Sequence, residues 1–349
     1  MLNWRPLFAT QPSSRSWIEI LRLCVPVLLP LVGFAIAGRF IDGALVGLGA
    51  YIVLFGAHQP ARHRLLTYLT AALGMLGAVA LGAATAASFW GEYLAYACVA
   101  VLAVVGSLLY DPGPPGAYFF VLMVGGGALL GSAGLSLAGI LPMLAVGNLV
   151  AMVFGMVDLL WRDPVAQGGD IPPRPSAAWR LRALLTVPSA ALLTLARVVI
   201  GILLALAVMR WTGDRHPFWA VLVTVLVLSW PGDPAQLRLR AVQRLVGTTM
   251  GILVFLIASN FPLARPAYVA VLCVVFLAMA RVADRNYALA SVFISLFALL
   301  LTVPLSASEP PLAMAASRLV DTALAAVIAL ALIHLLGPGL AGRCALASA

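Results

Sequence analysis

The 349-residue sequence is 63% hydrophobic and only 9% charged, against roughly a quarter charged in soluble domains, which excludes a water-soluble fold. Its net charge of +9 is carried wholly by arginine, because the sequence has no lysine; a Walker A ATPase and Schiff-base chemistry are thereby ruled out. The arginines sit at the ends of apolar runs rather than in one polar domain, so they point to membrane topology and not to nucleic acid.

Residues 1–17 read as a polar cytoplasmic leader. The first apolar run, residues 21–36, ends in Ala35-Ile36-Ala37, which mimics a signal-peptide cleavage site. Pro26 and Pro30 interrupt it and a later run echoes it, so it is expected to remain as a span. Runs at 43–56, 65–87, 93–109, 118–130 and 135–157 complete a first transmembrane half, 18–161. A polar, Pro-rich stretch, 162–187, is a cytoplasmic linker in which Trp179, Arg180 and Arg182 mark a short helix on the inner leaflet. Runs at 190–208, 218–230, 245–259, 268–280, 287–302 and 313–336 then fill a second half, 188–337, before a cytoplasmic tail, 338–349. These runs are continuously apolar, whereas a β-barrel needs alternating segments of about ten residues.

With the N-terminus in the cytoplasm, fourteen of the 21 arginines fall on that side and four (Arg39, Arg210, Arg215 and Arg265) on the other, with Arg22, Arg197 and Arg318 at or within spans. That imbalance places both termini inside. The halves echo each other. Arg22 matches Arg197, the short runs 43–56 and 218–230 match, and a small-residue ladder (Gly74, Ala78, Gly82) has a counterpart in Gly247 and Gly251, spaced for close helix packing in lipid. The expected fold is an all-α polytopic membrane protein of 10–12 transmembrane helices, in two parallel six-helix repeats.

Four strings carry a family likeness. "RVVIGILLALAV", "HPFWAVLVTVLVLS", "RLRAVQRLVGTTMG" and "SRLVDTALAAVIAL" resemble the fusaric-acid-resistance-like (FUSC) family, which includes aromatic carboxylic acid exporters. The matching landmarks are His216, Pro217 and Trp219; Arg240, Arg244, Gly247, Thr248 and Gly251; and Arg318, Asp321 and Thr322. The resemblance implies a bacterial inner-membrane efflux protein for aromatic acids, driven by proton exchange. Many relatives carry sizeable cytoplasmic domains after each half. Only about 25 residues link the halves here, which argues against work with a periplasmic adaptor.

Candidate transport residues follow from where polar groups interrupt apolar runs. Matching short segments in two repeats point to a transporter's central site, so the run 218–230 either ends beside a substrate cavity or has its ends at the interface, with Trp219 and Trp230 as aromatic anchors. His216 changes charge near neutral pH. It is a candidate for carboxylate binding and proton coupling, or else a helix-entrance anchor. Arg318 and Asp321 lie three apart on one helix face in an otherwise apolar span, where a charge costs about 2.5–3.5 kcal/mol on insertion scales. One reading makes Arg318 an anion-binding group and Asp321 the proton-titrating group; the other makes them a mutual ion pair. Tyr287 and Arg197 complete the substrate-binding candidates. Arg240 and Arg244, with Asp233, read as a cytoplasmic anchor or inner gate.

The four cysteines are scattered without a CxxC pair or disulfide framework. With neither HExxH nor GxSxG present, no enzyme, cofactor or metal is expected. The functional expectation is secondary export of anionic aromatic or other weak organic acids. A passive organic or inorganic anion channel is the alternative. Expected partners are small organic anions, the lipid bilayer and other copies of the chain in a homo-oligomer.

Overall fold

A computed structural model of the chain describes residues 9–10, 15–56, 59, 61–110, 116–161, 179–180, 182, 190–212, 218–230, 232–304 and 309–336. Its principal helices are α1 (Trp17–Ile36), α2 (Phe40–Gly49) continued by a 3₁₀ segment (Ala50–Leu54), α3 (Ala61–Thr85), α4 (Phe89–Tyr110), α5 (Tyr118–Ser132), α6 (Leu137–Trp161), α7 (Ala190–Thr212), α8 (Phe218–Leu228), α9 (Pro234–Ala258), α10 (Arg265–Val282), α11 (Tyr287–Thr302) and α12 (Pro311–Leu336). No strand occurs among the described residues. Local sequence explains the helix starts. Ser16 and Glu19 form a reciprocal capping box at α1; Asp233 accepts from the Gln236 N–H ahead of α9; Asn286 accepts from the Leu289 N–H at α11.

Two kinds of helix emerge. Eight (α1, α3, α4, α6, α7, α9, α10 and α12) are long and apolar enough to cross a bilayer, and several expose large apolar side chains such as Leu73, Leu102, Leu149 and Val327. The other four (α2, α5, α8 and α11) are short. They are also the more enclosed ones. In α8, consecutive residues Ala220, Val221, Leu222 and Val223 are all fully buried; four successive positions cover every side of a helix, so α8 has no free face. Its 11 residues reach about 16 Å at 1.5 Å per residue, well short of a ~30 Å hydrocarbon core. A helix surrounded by protein has no need to match that thickness.

The chain divides into two compact units. The first holds α1, α2, α6 to Asp158, α9 from Leu239, α10, α11 and α12 up to Ala323. Within it α1 lies against α2 and α10, and α10 against α11. Tyr51, Phe276 and Phe297 form an aromatic row with centroid separations of 6.0 and 5.2 Å. Helices α2 and α6 meet through glycine, since a Cβ on Gly49 or Gly147 would run into the backbone of Leu144 or Val46.

The second unit holds α3, α4, α5, α7, α8, the start of α9 to Arg238, and α12 from Leu324. Its tightest seam joins α3 to α5, where Gly74 abuts the Phe120 ring, Gly82 the Val124 backbone and Gly127 the Val79 backbone. Helix α8 is seated the same way, with Gly125 beneath Phe218 and Gly201 beneath Thr224 and Leu228. Tyr93 of α4 donates to the Leu203 carbonyl of α7 at 3.1 Å.

Two alanine substitutions on α3 separate close packing from helix propensity. Gly82→Ala forces α3 away from Val124 and is expected to destabilise by about 1–3 kcal/mol. Gly77→Ala, where a Cβ meets nothing within 4 Å, is expected to leave stability unchanged or to raise it by up to ~1 kcal/mol. Thermal unfolding in detergent measures both.

Candidate functional site

One group of polar residues in the first unit lies on α9 and α11. Arg240, Arg244 and Thr248 recur every four residues and so share one face of α9; Tyr287, Ser291 and Ser295 do the same on α11. Two glycines bring these faces together, because a Cβ on Gly247 would overlap the Ala288 carbonyl and the Ser291 Cβ, and one on Gly251 would press on Val292 and Ser295. The helices run parallel along this seam, and their side chains form rungs. At the first rung the Arg240 guanidinium lies 3.7 Å from the centre of the Tyr287 ring, a cation–π stack worth about 0.5–2 kcal/mol. At the third, Ser295 donates to the Thr248 hydroxyl at 3.1 Å.

The register set by these two rungs pairs Arg244 with Ser291 between them. Both are 0% exposed. Among the described residues none of the three guanidinium nitrogens of Arg244, nor the Ser291 hydroxyl, has a hydrogen-bond partner. The Tyr287 hydroxyl is likewise buried without one. Arg244 lies ten residues into α9, about 15 Å along the helix axis from Pro234. The protein around it encloses its head group, in contrast to the exposed Arg238 six residues earlier.

Helix α12 contributes a second charged site to this unit. Arg318 is 1% exposed and Asp321 and Thr322 are 0% exposed. The Thr322 hydroxyl donates back to the Arg318 carbonyl at 2.9 Å, satisfying it inside its own helix. Asn148 of α6 is also buried, and neither its amide nitrogen nor its oxygen has a hydrogen-bond partner among the described residues.

The other candidates drawn from the sequence occupy separate places. Asp233 is exposed and its carboxylate caps α9. In the second unit, Arg197 is 6% exposed and donates to the carbonyl of Leu336, the last residue of α12, at 3.3 Å; a cation there satisfies an end carbonyl and opposes the helix dipole. Trp219 stands in the first turn of α8, its ring 4.2 Å from that of Phe218. Arg64 is buried and donates to the Tyr68 hydroxyl at 2.9 Å. His216 lies outside the described residues, as do His58, Pro217 and Arg162. A shallow apolar cleft in the first unit is lined by Val27, Leu31, Ala44, Tyr51, Phe297 and neighbours; none of the candidate residues lines it.

The sequence alone points to Arg240, Arg244, Tyr287, Arg318 and Asp321 but not to Ser291, Ser295 or Asn148. Small polar residues at i+4 spacing inside "YALASVFISLFALL" are the available signal for the two serines. Serine is commonplace in a single span, so that signal is faint; it takes the facing helix to show that each serine forms a rung.

Fold and geometry together define a multi-pass helical membrane protein with charged groups buried inside its helices. Residues 203–332 match the family described as fusaric acid resistance protein-like, and that region contains Arg240, Arg244, Tyr287, Ser291, Ser295, Arg318 and Asp321. Neither a curated protein nor a solved structure matches the chain.

The Arg240–Tyr287 rung is testable by a double-mutant cycle with Arg240→Gln. Coupling with Tyr287→Leu is expected at about 0.5–2 kcal/mol, and close to zero with Tyr287→Phe, which keeps the ring. Denaturant unfolding of the six proteins of the two cycles gives the numbers.

Proposed function

We propose that this protein is a secondary transporter of the efflux kind, carrying anionic aromatic or other weak organic acids out of a bacterial cell across the inner membrane in exchange for protons. The observation that carries this reading is the complete burial, within membrane helices, of two arginines and a carboxylate: Arg244, Arg318 and Asp321. Ionisable groups at such depth are costly and mark ion or substrate pathways by default. The fusaric acid resistance-like match over 203–332 supports the same reading, because it encloses all three.

Arg318 acts as an anion-binding group and Asp321 as the group that takes and releases the proton, with His216 a second proton-coupling candidate. A guanidinium keeps its charge at any physiological pH, whereas a carboxyl group can both take up and release a proton. Trp219, Tyr287 and Arg197 remain the other binding candidates.

The two halves are parallel repeats with both termini cytoplasmic. Supporting this, helices two and five of each half are the short ones. Each compact unit also combines helices of both halves: α1, α2 and α6 with most of α9, α10, α11 and the first part of α12, against α7, α8 and the end of α12 with α3–α5 and the start of α9. A repeat that places α7 on α1 exchanges most members of these sets.

Proteoliposomes with an acid lumen and the membrane voltage clamped at zero test the reading. Passive benzoic acid leaves an acid compartment, so benzoate uptake into it is expected only from proton exchange. The Asp321→Asn variant is expected to lose that uptake by at least tenfold. Uptake that follows an imposed voltage and ignores the pH gradient identifies a passive anion channel instead.

A further inference from the structure

We propose that Arg244 and Ser291, the middle rung of the α9–α11 seam, form a carboxylate-binding seat; this rests on the organic-anion reading above and assigns that anion a place distinct from Arg318. The neighbouring rungs have what this one lacks. Above and below, polar groups answer each other across the seam: the Arg240 guanidinium on the Tyr287 ring, and the Ser295 hydroxyl on the Thr248 hydroxyl. Between them sit a guanidinium and a hydroxyl, both 0% exposed, whose polar atoms have no hydrogen-bond partner among the described residues.

A buried cation without such partners is among the costliest arrangements in a protein interior. The requirement is specific, since the group that answers it must be anionic, must accept several N–H bonds, and must fit beside a hydroxyl donor. A carboxylate meets all three conditions. Its two oxygens match the planar guanidinium fork bidentately and retain lone pairs for the Ser291 hydroxyl. The buried Tyr287 hydroxyl, one turn away on the same face of α11, is a further donor at the edge of the seat.

Packing alone gives no reason for these polar side chains. The small-residue ladder recurs in α3, where the glycine equivalent to Gly247 is Gly74. Three residues before Gly74 stands Ala71 and one after it Met75, in the places held by Arg244 and Thr248. Both are buried and apolar, and α3 closes on α5 through Gly74 and Gly82 without any charge. The close seam therefore forms equally well with hydrocarbon, and the arginine serves something other than the fold.

The test is thermal unfolding of the detergent-purified full chain, titrated with sodium benzoate at constant ionic strength against sodium chloride. Benzoate is expected to raise the midpoint in a saturable way, as a ligand of the folded state does, with chloride having no effect at equal concentration. Arg244→Gln is expected to abolish the shift while being no less stable than the parent without benzoate, because it removes a buried charge. Arg244→Lys keeps the charge but not the fork, and Ser291→Ala removes one donor; each is expected to weaken benzoate about fivefold or more. Arg238→Gln, exposed on the same helix, keeps the full shift. A benzoate shift that survives both Arg244→Gln and Ser291→Ala overturns the seat, and so does an equal shift with chloride. Melting reads binding with no gradient present. A protein that binds benzoate through Arg244 yet moves none across a bilayer therefore refutes the transport reading and leaves the seat standing.

Discussion

Taking a guanidinium out of water inside a hydrocarbon bundle is the constraint on which the rest of this molecule turns. Arg244 is fully enclosed in a helix long and apolar enough to cross the membrane, and its neighbours along the seam already answer one another. The glycines at 247 and 251 set the distance at which this happens. Without them the α9 backbone could not approach Ala288 and Val292 so closely, and the serines of α11 would stand off from the arginine face. Small residues here create a polar interior as well as a tight one.

Helix length follows from the same distinction between lipid and protein as solvent. A helix with one side in lipid must span the hydrocarbon; a helix enclosed on all sides is freed from that requirement. The 25-residue α3 and α9 belong to the first kind, the 11-residue α8 to the second. Short helices in this chain are therefore its core, held by glycine contacts such as Gly125 on Phe218 and Gly201 on Thr224. The polar rungs also lie against a short helix, α11, whose serine face is shut away from lipid by the protein around it.

Much of this was legible in the sequence, for identifiable reasons. Helices announce themselves through unbroken apolar runs: all twelve expected segments have one, because nothing in hydrocarbon competes with intrahelical hydrogen bonding, but eight of them, against an expected 10–12 spans, are long and apolar enough to cross a bilayer. The break of α2 into a 3₁₀ segment at Ala50 left no signature, since Gly and Ala in that stretch suit either geometry. Arg244 and Arg240 read as a topological anchor because positive charge at a span end has that meaning on average; only the burial of one and the stacking of the other separate them. That each compact unit draws helices from both halves of the chain could not be read from hydropathy, which carries no information about which helix faces which. Ser291 and Ser295 acquire meaning only opposite α9.

The arginine at the centre of the seam has one more consequence. Guanidinium does not surrender its proton at any acidity a cell encounters, so acidification cannot switch this charge off. Discrimination then passes to the visitor. A molecule whose own acid group is neutral at the prevailing pH offers nothing to this side chain, while its conjugate base does. On the proposed carboxylate seat, the position reads the ionisation state of its guest, and strong acids and weak acids of the same shape become chemically different guests.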